Sequence, residues 1–299
     1  MKKKPILIAV LCLVAISISL ERTYYLQNQG FRLSKLISTQ PCIKVSPPFE
    51  IDEMLNQSFR YLGGGGTSFV FLGEDGKTVL KFFKHQHLFF KDILFHLKLP
   101  GIFDSWRIKK ILYRERKNRH KRHVFFFSSC SLAFRELKEE TGLIYLCLQP
   151  NLHFNRQIKL IDAWGISHDF NLSQTEFALQ KKAQLLFPYL EELLKQERQE
   201  KAQQAIDSLI SQILIRCKKG IADRDPNLRI NFGFIEGKAV EFDLGSYDLD
   251  PSLKSPFYSA RELYFTTFAL QKWLEKRSPE LLSHLLGEIA KVSSSEMLF

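Results

Sequence analysis

Two sets of side chains, far apart in the chain, have the types and spacing to act on phosphate groups. The first is the run LGGGGTSFV from Leu62 to Val70, followed by Val79-Leu80-Lys81. Backbone that lacks side chains can approach an anion closely and point N–H groups at it. The second set is Asp223-Arg224-Asp225, then Asn231, then Asp243-Leu244-Gly245. Acidic and amide residues in this order occur in phosphoryl-transfer sites.

Two other glycine motifs do not fit this stretch. For the pattern G-x-x-x-x-G-K-[ST], Gly76-Lys77-Thr78 supplies the end, but the first glycine would fall at Phe71. A dinucleotide fold needs a helix after the glycines. Here two β-type runs follow, Ser68 to Leu72 and Thr78 to Phe83, and the Asp-Gly between them is a turn signal. The pattern therefore predicts an antiparallel hairpin that carries Lys81.

The sequence around the second set also predicts its secondary structure. The region from Phe187 to Lys219 has a helical apolar stripe, and Gly220 is the expected stop. Glu236-Gly237-Lys238 should turn between two short strands, the second of which leads into Asp243. An aspartate between apolar strand residues needs a metal or a hydrogen-bond donor to offset its desolvation. Helices are predicted at about Ala260 to Lys276 and Pro279 to Ala290.

Two further elements are predicted between the two sets. Apolar residues recur at helical spacing from Phe134 through Leu148. The runs IKLIDAWG and EFALQKKA are expected to form a short strand pair.

With both sets in this order, the chain resembles the protein-kinase-like superfamily over roughly residues 58 to 290. The resemblance implies an α+β, two-lobed protein-kinase-like fold with a reduced helical C-lobe, preceded by an N-terminal hydrophobic helix. It also implies ATP and Mg²⁺ as cofactors.

The resemblance assigns the nucleotide to the first set. Lys81 would hold the α- and β-phosphates, Val70 and Val79 would cover the base, and Ser68 stands where the third glycine is usual. A helix carboxylate would pair with Lys81, with Glu140 as the first candidate and Glu136 and Glu139 as rivals. The implied nucleotide-binding residues are Gly63, Gly64, Gly65, Gly66, Ser68, Val70, Val79, Lys81 and Glu140.

The resemblance assigns catalysis and metal binding to the second set. Asp223-Arg224-Asp225 is similar to H-R-D with Asp in place of His, so Asp225 would be the catalytic base. Asn231 and Asp243 would be the metal ligands, and Arg229 a stand-in for the missing catalytic-loop lysine. Asn231 lies six positions after Asp225, where the family has five, so Asp223 is a competing base.

The short C-terminal part bears on the substrate. Only 54 residues follow Gly245, and no A-P-E element is among them. This is closer to bacterial small-molecule, lipopolysaccharide and aminoglycoside kinases than to eukaryotic-type protein kinases. The predicted function is an ATP/Mg-dependent phosphotransferase whose unidentified acceptor is a small-molecule or lipid-sugar hydroxyl rather than a protein. The alternatives are a kinase-fold binding module without turnover (a pseudokinase) and a membrane-surface adaptor.

The distribution of charge and cysteine bears on the possible partners and on metal binding. Nine Arg and Lys oppose Glu115 between Trp106 and His123, and with Lys2, Lys3 and Lys4 this segment accounts for the formal net charge of +11. Residues 106–123 form either a solvated helix or a contact for an anionic membrane. No nucleic-acid motif is present, so no nucleic-acid partner is expected. Five scattered cysteines without C-x-x-C spacing predict no structural metal.

The chain divides into four predicted segments. Residues 1–20 carry an apolar run, Pro5 to Leu20, that is typical of a signal peptide or a membrane anchor. The protein is therefore expected to be membrane-associated or exported, and flanking charges do not determine its orientation. The remaining segments are a linker at 21–50, a β-rich N-lobe-like domain at 51–182 with a basic insertion at about 100–128, and a reduced helical C-lobe at 183–299.

Overall fold

The computed structural model describes residues 3–84 and 106–294. The chain is an α+β protein that separates into two compact units. Unit 1 comprises Met1–Leu97 and Cys147–Ala178, and unit 2 comprises Lys98–Leu146 and Leu179–Phe299. This division differs from the predicted boundary at residue 182, because the basic segment that follows the first hairpin belongs to unit 2.

The described residues contain eight α-helices and twelve strands. The helices are α1 (Lys3–Gln27), α2 (Phe49–Met54), α3 (Trp106–Glu136), α4 (Leu186–Lys195), α5 (Gln199–Lys218), α6 (Pro256–Thr266), α7 (Phe268–Leu274) and α8 (Pro279–Ser294). The strands are β1 (Phe59–Gly64), β2 (Ser68–Gly73), β3 (Thr78–Phe83), β4 (Leu143–Cys147), β5 (Gln157–Ile161), β6 (Ser167–Asn171), β7 (Phe177–Lys181), β8 (Gln184–Leu185), β9 (Ile221–Asp223), β10 (Phe232–Ile235), β11 (Lys238–Glu241) and β12 (Tyr247–Leu249).

The largest sheet has seven strands in the order β4-β7-β3-β2-β1-β5-β6. The predicted hairpin is confirmed: β2 and β3 are antiparallel, with Val70 opposite Lys81. Its turn is closed by the Asp75 carboxylate, which accepts hydrogen bonds from the backbone N–H groups of Lys77 and Thr78, and by Gly76 at a φ of 65°. Because only glycine adopts this φ without a steric cost, the sequence fixes the turn.

One face of this sheet is an aromatic core within unit 1. Phe69 and Phe71 alternate with half-buried residues along β2, and Phe82 of β3 lies opposite Phe69. All three are 1% exposed or less. Phe31 packs edge-on against Phe69 and Phe71, with ring centroids 5.4 and 5.2 Å apart. Phe170 completes the cluster against Phe82 at 5.7 Å. Edge-on aromatic packing adds to the burial of apolar area, so this face stabilises the hairpin.

The segment expected to be a linker contributes to this core. Asn28, Phe31 and Leu36 are buried at 0%, 1% and 0% exposure. The Asn28 side chain accepts a hydrogen bond from Ala163 N, 2.9 Å away, and Tyr61 Oη donates to Asn28 O over 2.9 Å. The residues just after α1 are therefore packed against the sheet of unit 1, more closely than a linker would be.

A second hairpin, β5 and β6, extends the sheet of unit 1. The sequence predicted that residues around β5 and β7 pair with each other, but β5 pairs with β6 on one side and with β1 on the other. The Asp162 side chain, which is 0% exposed, closes the β5–β6 turn by accepting from Trp164 N and Ile166 N. A buried aspartate used this way is a local turn signal that periodicity does not detect.

Unit 2 has a helical core around α5. Its apolar stripe, including Ile206, Leu209 and Ile213, packs in one buried cluster with residues of α4, α6, α7 and α8. The predicted helix from Phe187 to Lys219 is interrupted by Glu197 at a φ of 55°. Gly220, at a φ of 68°, ends α5 as expected. The predicted turn at Glu236 and Gly237 is confirmed, because β10 and β11 are antiparallel.

The helix before β4 is shorter at its C-terminal end than its apolar spacing suggested. The pattern was expected to continue through Leu148, but α3 ends at Glu136 and Leu143–Cys147 is a strand. Gly142 adopts a φ of 61°, and Leu143 N donates to Lys138 O over 2.9 Å. This left-handed residue turns the chain into β4.

Helix α1 contains the apolar run predicted to be a signal peptide or anchor. Across residues 3–84 and 106–294, no helix combines the length and hydropathy required to cross a bilayer.

Candidate functional site

The loop from Asp223 to Asn231 in unit 2, here called the Asp225 loop, is organised by its own side chains. Asp223 Oδ1 accepts from Asp225 N over 2.8 Å, and Asn227 Oδ1 accepts from Arg229 N over 3.1 Å. Asn231 Nδ2 donates to Asp225 O over 2.9 Å. Because the last bond joins the two ends of the loop, the amide of Asn231 and the backbone of Asp225 are held together.

The β10–β11 hairpin brings Asp243 to the same place. Phe232 lies opposite Glu241, and Phe242 N donates to Asn231 O over 2.9 Å. Asp243 follows Phe242 directly, and its Oδ1 accepts from Gly245 N over 3.3 Å. Asp225, Asn231 and Asp243 therefore gather at one end of this hairpin, although Asp243 is separated from Asn231 by twelve positions of sequence.

Gly245 has a packing reason to be glycine. A Cβ atom at this position would lie 2.7 Å from the ring of Phe126 on α3. The same helix supplies Ser129, whose Oγ donates to Leu244 O and accepts from Tyr247 N, both over 2.6 Å. Helix α3 therefore fixes the backbone that follows Asp243, and a larger residue at Gly245 would displace it.

The three acidic residues of this region differ in exposure. Asp225 is exposed, Asp243 is half-buried and Asp223 is 6% exposed. A ligand in solvent can therefore reach the Asp225 carboxylate more readily than that of Asp223. Asn231 and Asp243 carry side-chain oxygens, the kind of ligand that Mg²⁺ prefers. Within the part of the chain that is described, no group of three or more His, Cys, Asp or Glu could hold a metal ion.

A buried ionic cluster lies beneath the Asp225 loop. Arg216, at 0% exposure, has its Nε 3.2 Å from Glu241 Oε2 and donates from Nη2 to Glu262 Oε1 over 3.0 Å. Its Nη1 also donates to Ile221 O over 3.1 Å. Burial raises the pKa of Glu241 well above its usual value, although Arg216 opposes this, and the neighbouring carboxylate of Asp223 raises it further. The Arg216 guanidinium is therefore surrounded by the carboxyl groups of Glu241, Glu262 and Asp223.

The other residues predicted for the site have partners within unit 2. The Arg229 guanidinium lies 5.3 Å from the ring centroid of Phe187. Glu140 pairs with Lys219 at 2.8 Å and lies in the turn after α3, not on a helix. Glu136 is the last residue of α3 and binds Arg135, whereas Glu139 is exposed. Which carboxylate pairs with Lys81 stays a prediction.

In unit 1, the residues predicted to contact a nucleotide share one face of the β2–β3 hairpin. Val70 lies opposite Lys81, and Val79 is two residues from Lys81, so strand alternation puts all three on the face away from the aromatic core. Ser68 shares this face by the same alternation. Gly63 is opposite Val70 on β1. Of the four glycines, Gly63 is therefore in register with this group, whereas Gly64 is opposite Phe69.

The four glycines are not equivalent. Gly63 and Gly64 belong to β1, while Gly65 and Gly66 are exposed at the bend, with open space where a Cβ would lie. Gly65 N donates to Ser68 O over 3.0 Å, which closes the bend. Only the tip of the run is thus a loop, and the first half is strand.

Two residues near the glycines were not anticipated. The side-chain oxygen of Gln29 accepts a hydrogen bond from Gly64 N, and Lys84 Nζ donates to Gly65 O. Burial lowers the pKa of Lys84, and its ammonium lies 4.1 Å from the ring centroid of Phe69. The position of Lys84, three residues after Lys81, is a sequence signal that could have identified it. No sequence pattern links Gln29 to a glycine 35 positions away.

The sequence matches no protein-family model, and no curated protein matches it at a significant level.

Proposed function

We propose that this protein is an ATP- and Mg²⁺-dependent phosphotransferase with a kinase-like fold. The observation that carries the proposal is the hydrogen-bonded arrangement of Asp225, Asn231 and Asp243 at the end of β10–β11. In kinases an aspartate of the catalytic loop accepts the hydroxyl proton, and an asparagine and a second aspartate hold Mg²⁺. Asp225, Asn231 and Asp243 occur in this order in the chain, and local hydrogen bonds hold them near one another, as such a site requires.

Unit 1 supports the proposal independently. In kinases the lysine that contacts the phosphates lies on the third strand, after a glycine-rich hairpin. Here Lys81 lies on β3, opposite Val70 and two residues from Val79. Each unit thus carries the part of the residue set that the proposal needs from it.

The chain's own residues would divide the work as follows. Lys81 and the N–H groups of the glycine bend would bind phosphate oxygens, and Asn231 and Asp243 would hold Mg²⁺, which neutralises phosphate charge when bound. Asp225 would orient the acceptor hydroxyl and accept its proton. We infer a small-molecule or lipid-sugar hydroxyl as the acceptor, because no A-P-E element of eukaryotic-type protein kinases occurs between Gly245 and Phe299.

Nucleotide-dependent stabilisation of the full chain tests the proposal. Mg-ATP at a hundredfold excess over its Kd should stabilise the folded protein by about 2.7 kcal/mol. The stabilisation should be lost in Asp243→Ala and in Lys81→Met. The matched controls are Asp248→Ala and Lys77→Met, which change exposed residues near the same elements. Equal melting temperatures of the wild-type protein with and without Mg-ATP would exclude nucleotide binding.

A kinase-fold binding module is the second candidate, and the Gln29 contact favours it. The backbone N–H of Gly64 already donates a hydrogen bond to the side-chain oxygen of Gln29. A bound phosphate would need this N–H group as a donor. Gln29 also has a φ of 47°, a left-handed conformation that costs a non-glycine residue energy. If Mg-ATP binds without transfer to any hydroxyl, and Gln29→Ala tightens that binding without restoring transfer, the protein is a binding module.

A further inference from the structure

The outer face of α6 and the beginning of α7 is aromatic. Between residues 257 and 268 the exposed side chains are those of Phe257, Tyr258, Arg261, Tyr264, Phe265 and Phe268. The inner face of α6 consists of the buried residues Ser259, Ala260, Leu263 and Thr266. A surface helix usually turns polar and charged residues toward water. Here five of the six exposed side chains are aromatic. These six side chains are called the aromatic face below.

The aromatic face exposes a large area rather than scattered ring edges. Phe265 is 62% exposed, Phe257 55% and Phe268 47%. Residues three, four and seven positions apart lie on the same side of a helix, so Phe257, Arg261, Tyr264 and Phe265 share one side of α6. Phe268 is the first residue of α7, two residues after α6 ends. Contiguous apolar surface of this kind on a soluble domain marks an interaction site.

The charges on the aromatic face are positive. The Arg261 guanidinium lies 5.8 Å from the ring centroid of Phe265, and Lys272 Nζ lies 5.9 Å from that of Phe268. Glu262 is the acidic residue of α6, and its carboxylate is half-buried against Arg216 rather than on this face. Lys272 also pairs with Glu275, one turn further along. The partner should therefore combine an apolar layer with negative charge.

We propose that the aromatic face docks on an anionic phospholipid surface. Phe and Tyr rings partition into the boundary between headgroups and acyl chains, while Arg and Lys at that depth meet lipid phosphates. Five exposed rings with Arg261 among them and Lys272 one turn beyond Phe268, without an exposed carboxylate between Phe257 and Phe268, fit this layered partner. The surface is separate from the predicted basic contact at residues 106–123, and it does not depend on nucleotide binding.

A local fluorescence measurement on the full chain tests this docking. Cys12 and Cys42, the two exposed cysteines among the described residues, are first replaced by serine. An environment-sensitive fluorophore is then attached at Phe265→Cys or, as the matched control, at Lys195→Cys on α4, whose side chain is 74% exposed. The labelled proteins are mixed with vesicles of phosphatidylcholine and phosphatidylserine in equal amounts, with bromine on the acyl chains.

We expect bromine to quench the label at Phe265→Cys and not at Lys195→Cys. On vesicles of phosphatidylcholine alone the quenching should be lost. Arg261→Gln and Lys272→Gln should each weaken the docked state roughly fivefold, the effect of one cation near an anionic membrane. Because the reading is local, membrane binding by α1 or α3 does not reproduce it.

Two outcomes would overturn the proposal. One is an unquenched label at Phe265→Cys on vesicles that nevertheless retain the protein. The other is a blue shift of this label that occurs without vesicles and increases with protein concentration, since a second copy of the chain would then cover the aromatic face.

Discussion

The β2–β3 hairpin of unit 1 and the Asp225 loop of unit 2 are supported by different forces. The hairpin is stabilised by aromatic packing, with Phe31 packed against Phe69 and Phe71. The loop is supported by ion pairs, in which Arg216 contacts Glu241 and Glu262 within unit 2. Ring packing is non-directional, whereas ion pairs with hydrogen bonds fix orientation.

This difference suits what each region is proposed to do. The glycine bend needs backbone N–H groups that can adjust to a ligand, and Gly65 and Gly66 are exposed with free space around them. The Asp225 loop needs oxygen atoms held at fixed positions, and its ends are joined by the Asn231 to Asp225 bond. A site that positions ligand oxygens is most effective when its supporting bonds are directional.

The largest effect should come from breaking the ionic support. Arg216→Met leaves the carboxyl groups of Glu241 and Glu262 without their cation, which should reduce the free energy of unfolding of unit 2 by about 3–5 kcal/mol. Chemical denaturation followed by Trp273 fluorescence, with the other tryptophans replaced by phenylalanine, measures this unit. The matched control is Arg224→Met, because the Arg224–Asp248 pair is about half exposed and should contribute less than about 1 kcal/mol. Equal losses in the two variants would contradict a structural role for the cluster.

A somewhat smaller loss should follow from breaking the aromatic support. Phe31→Ala removes a ring that is 1% exposed and leaves a cavity against β2, which should cost about 3 kcal/mol. Phe49→Ala, at 73% exposure, is the control and should have little effect. Denaturation followed by Trp164 fluorescence reports on unit 1. If Phe31→Ala is as stable as Phe49→Ala, residues 28–36 act as a linker after all.

The smallest loss of stability should come from breaking the polar contact between α1 and the β5–β6 turn, and this loss should depend on pH. Burial alone would raise the pKa of Asp162, but hydrogen bonds from His168 and Tyr24, and from the N–H groups of Ile166 and Trp164, outweigh burial and lower it. Burial, aided by the bond to Asp162, raises the pKa of Tyr24 to about 12. The charged carboxylate is therefore the form that the fold prefers.

A lowered pKa gives stability that is present above the unfolded value and lost as the pH falls through the folded value. Asp162→Asn should therefore destabilise unit 1 at pH 7 by about 2 kcal/mol, the contribution of a hydrogen bond to a charged group. The difference from the wild-type protein should shrink below about pH 4. Urea denaturation with Trp164 fluorescence at both pH values measures this, with Asp169→Asn as the control for an exposed ion pair. A difference that is independent of pH would contradict the assignment.

Local sequence signals predicted the parts of the fold that depend on neighbours in the chain. The Asp75-Gly76 and Glu236-Gly237 turns, the strands on either side of them and the end of α5 at Gly220 follow from turn chemistry and a positive φ. The order of the candidate residues Lys81, Asp225, Asn231 and Asp243 is likewise a property of the chain. These predictions needed no information about distant contacts.

Predictions that depended on distant contacts were less successful. The apolar spacing after Phe134 continued past Gly142, so it did not indicate where α3 ends. The partner of β5 could not be chosen from its own residues, because strand pairing is decided by burial on the assembled sheet.

The sequence by itself determined which residues could bind phosphate and metal, and in what order they occur. Tertiary structure alone decided that Gln29 binds the N–H of Gly64, that Glu140 binds Lys219 and that Arg216 compensates buried carboxylates under the Asp225 loop. The physical reason is that a turn is encoded by the torsion preferences of two or three consecutive residues. The partner of a buried polar group, in contrast, is whichever group the packing of remote elements brings within hydrogen-bond distance.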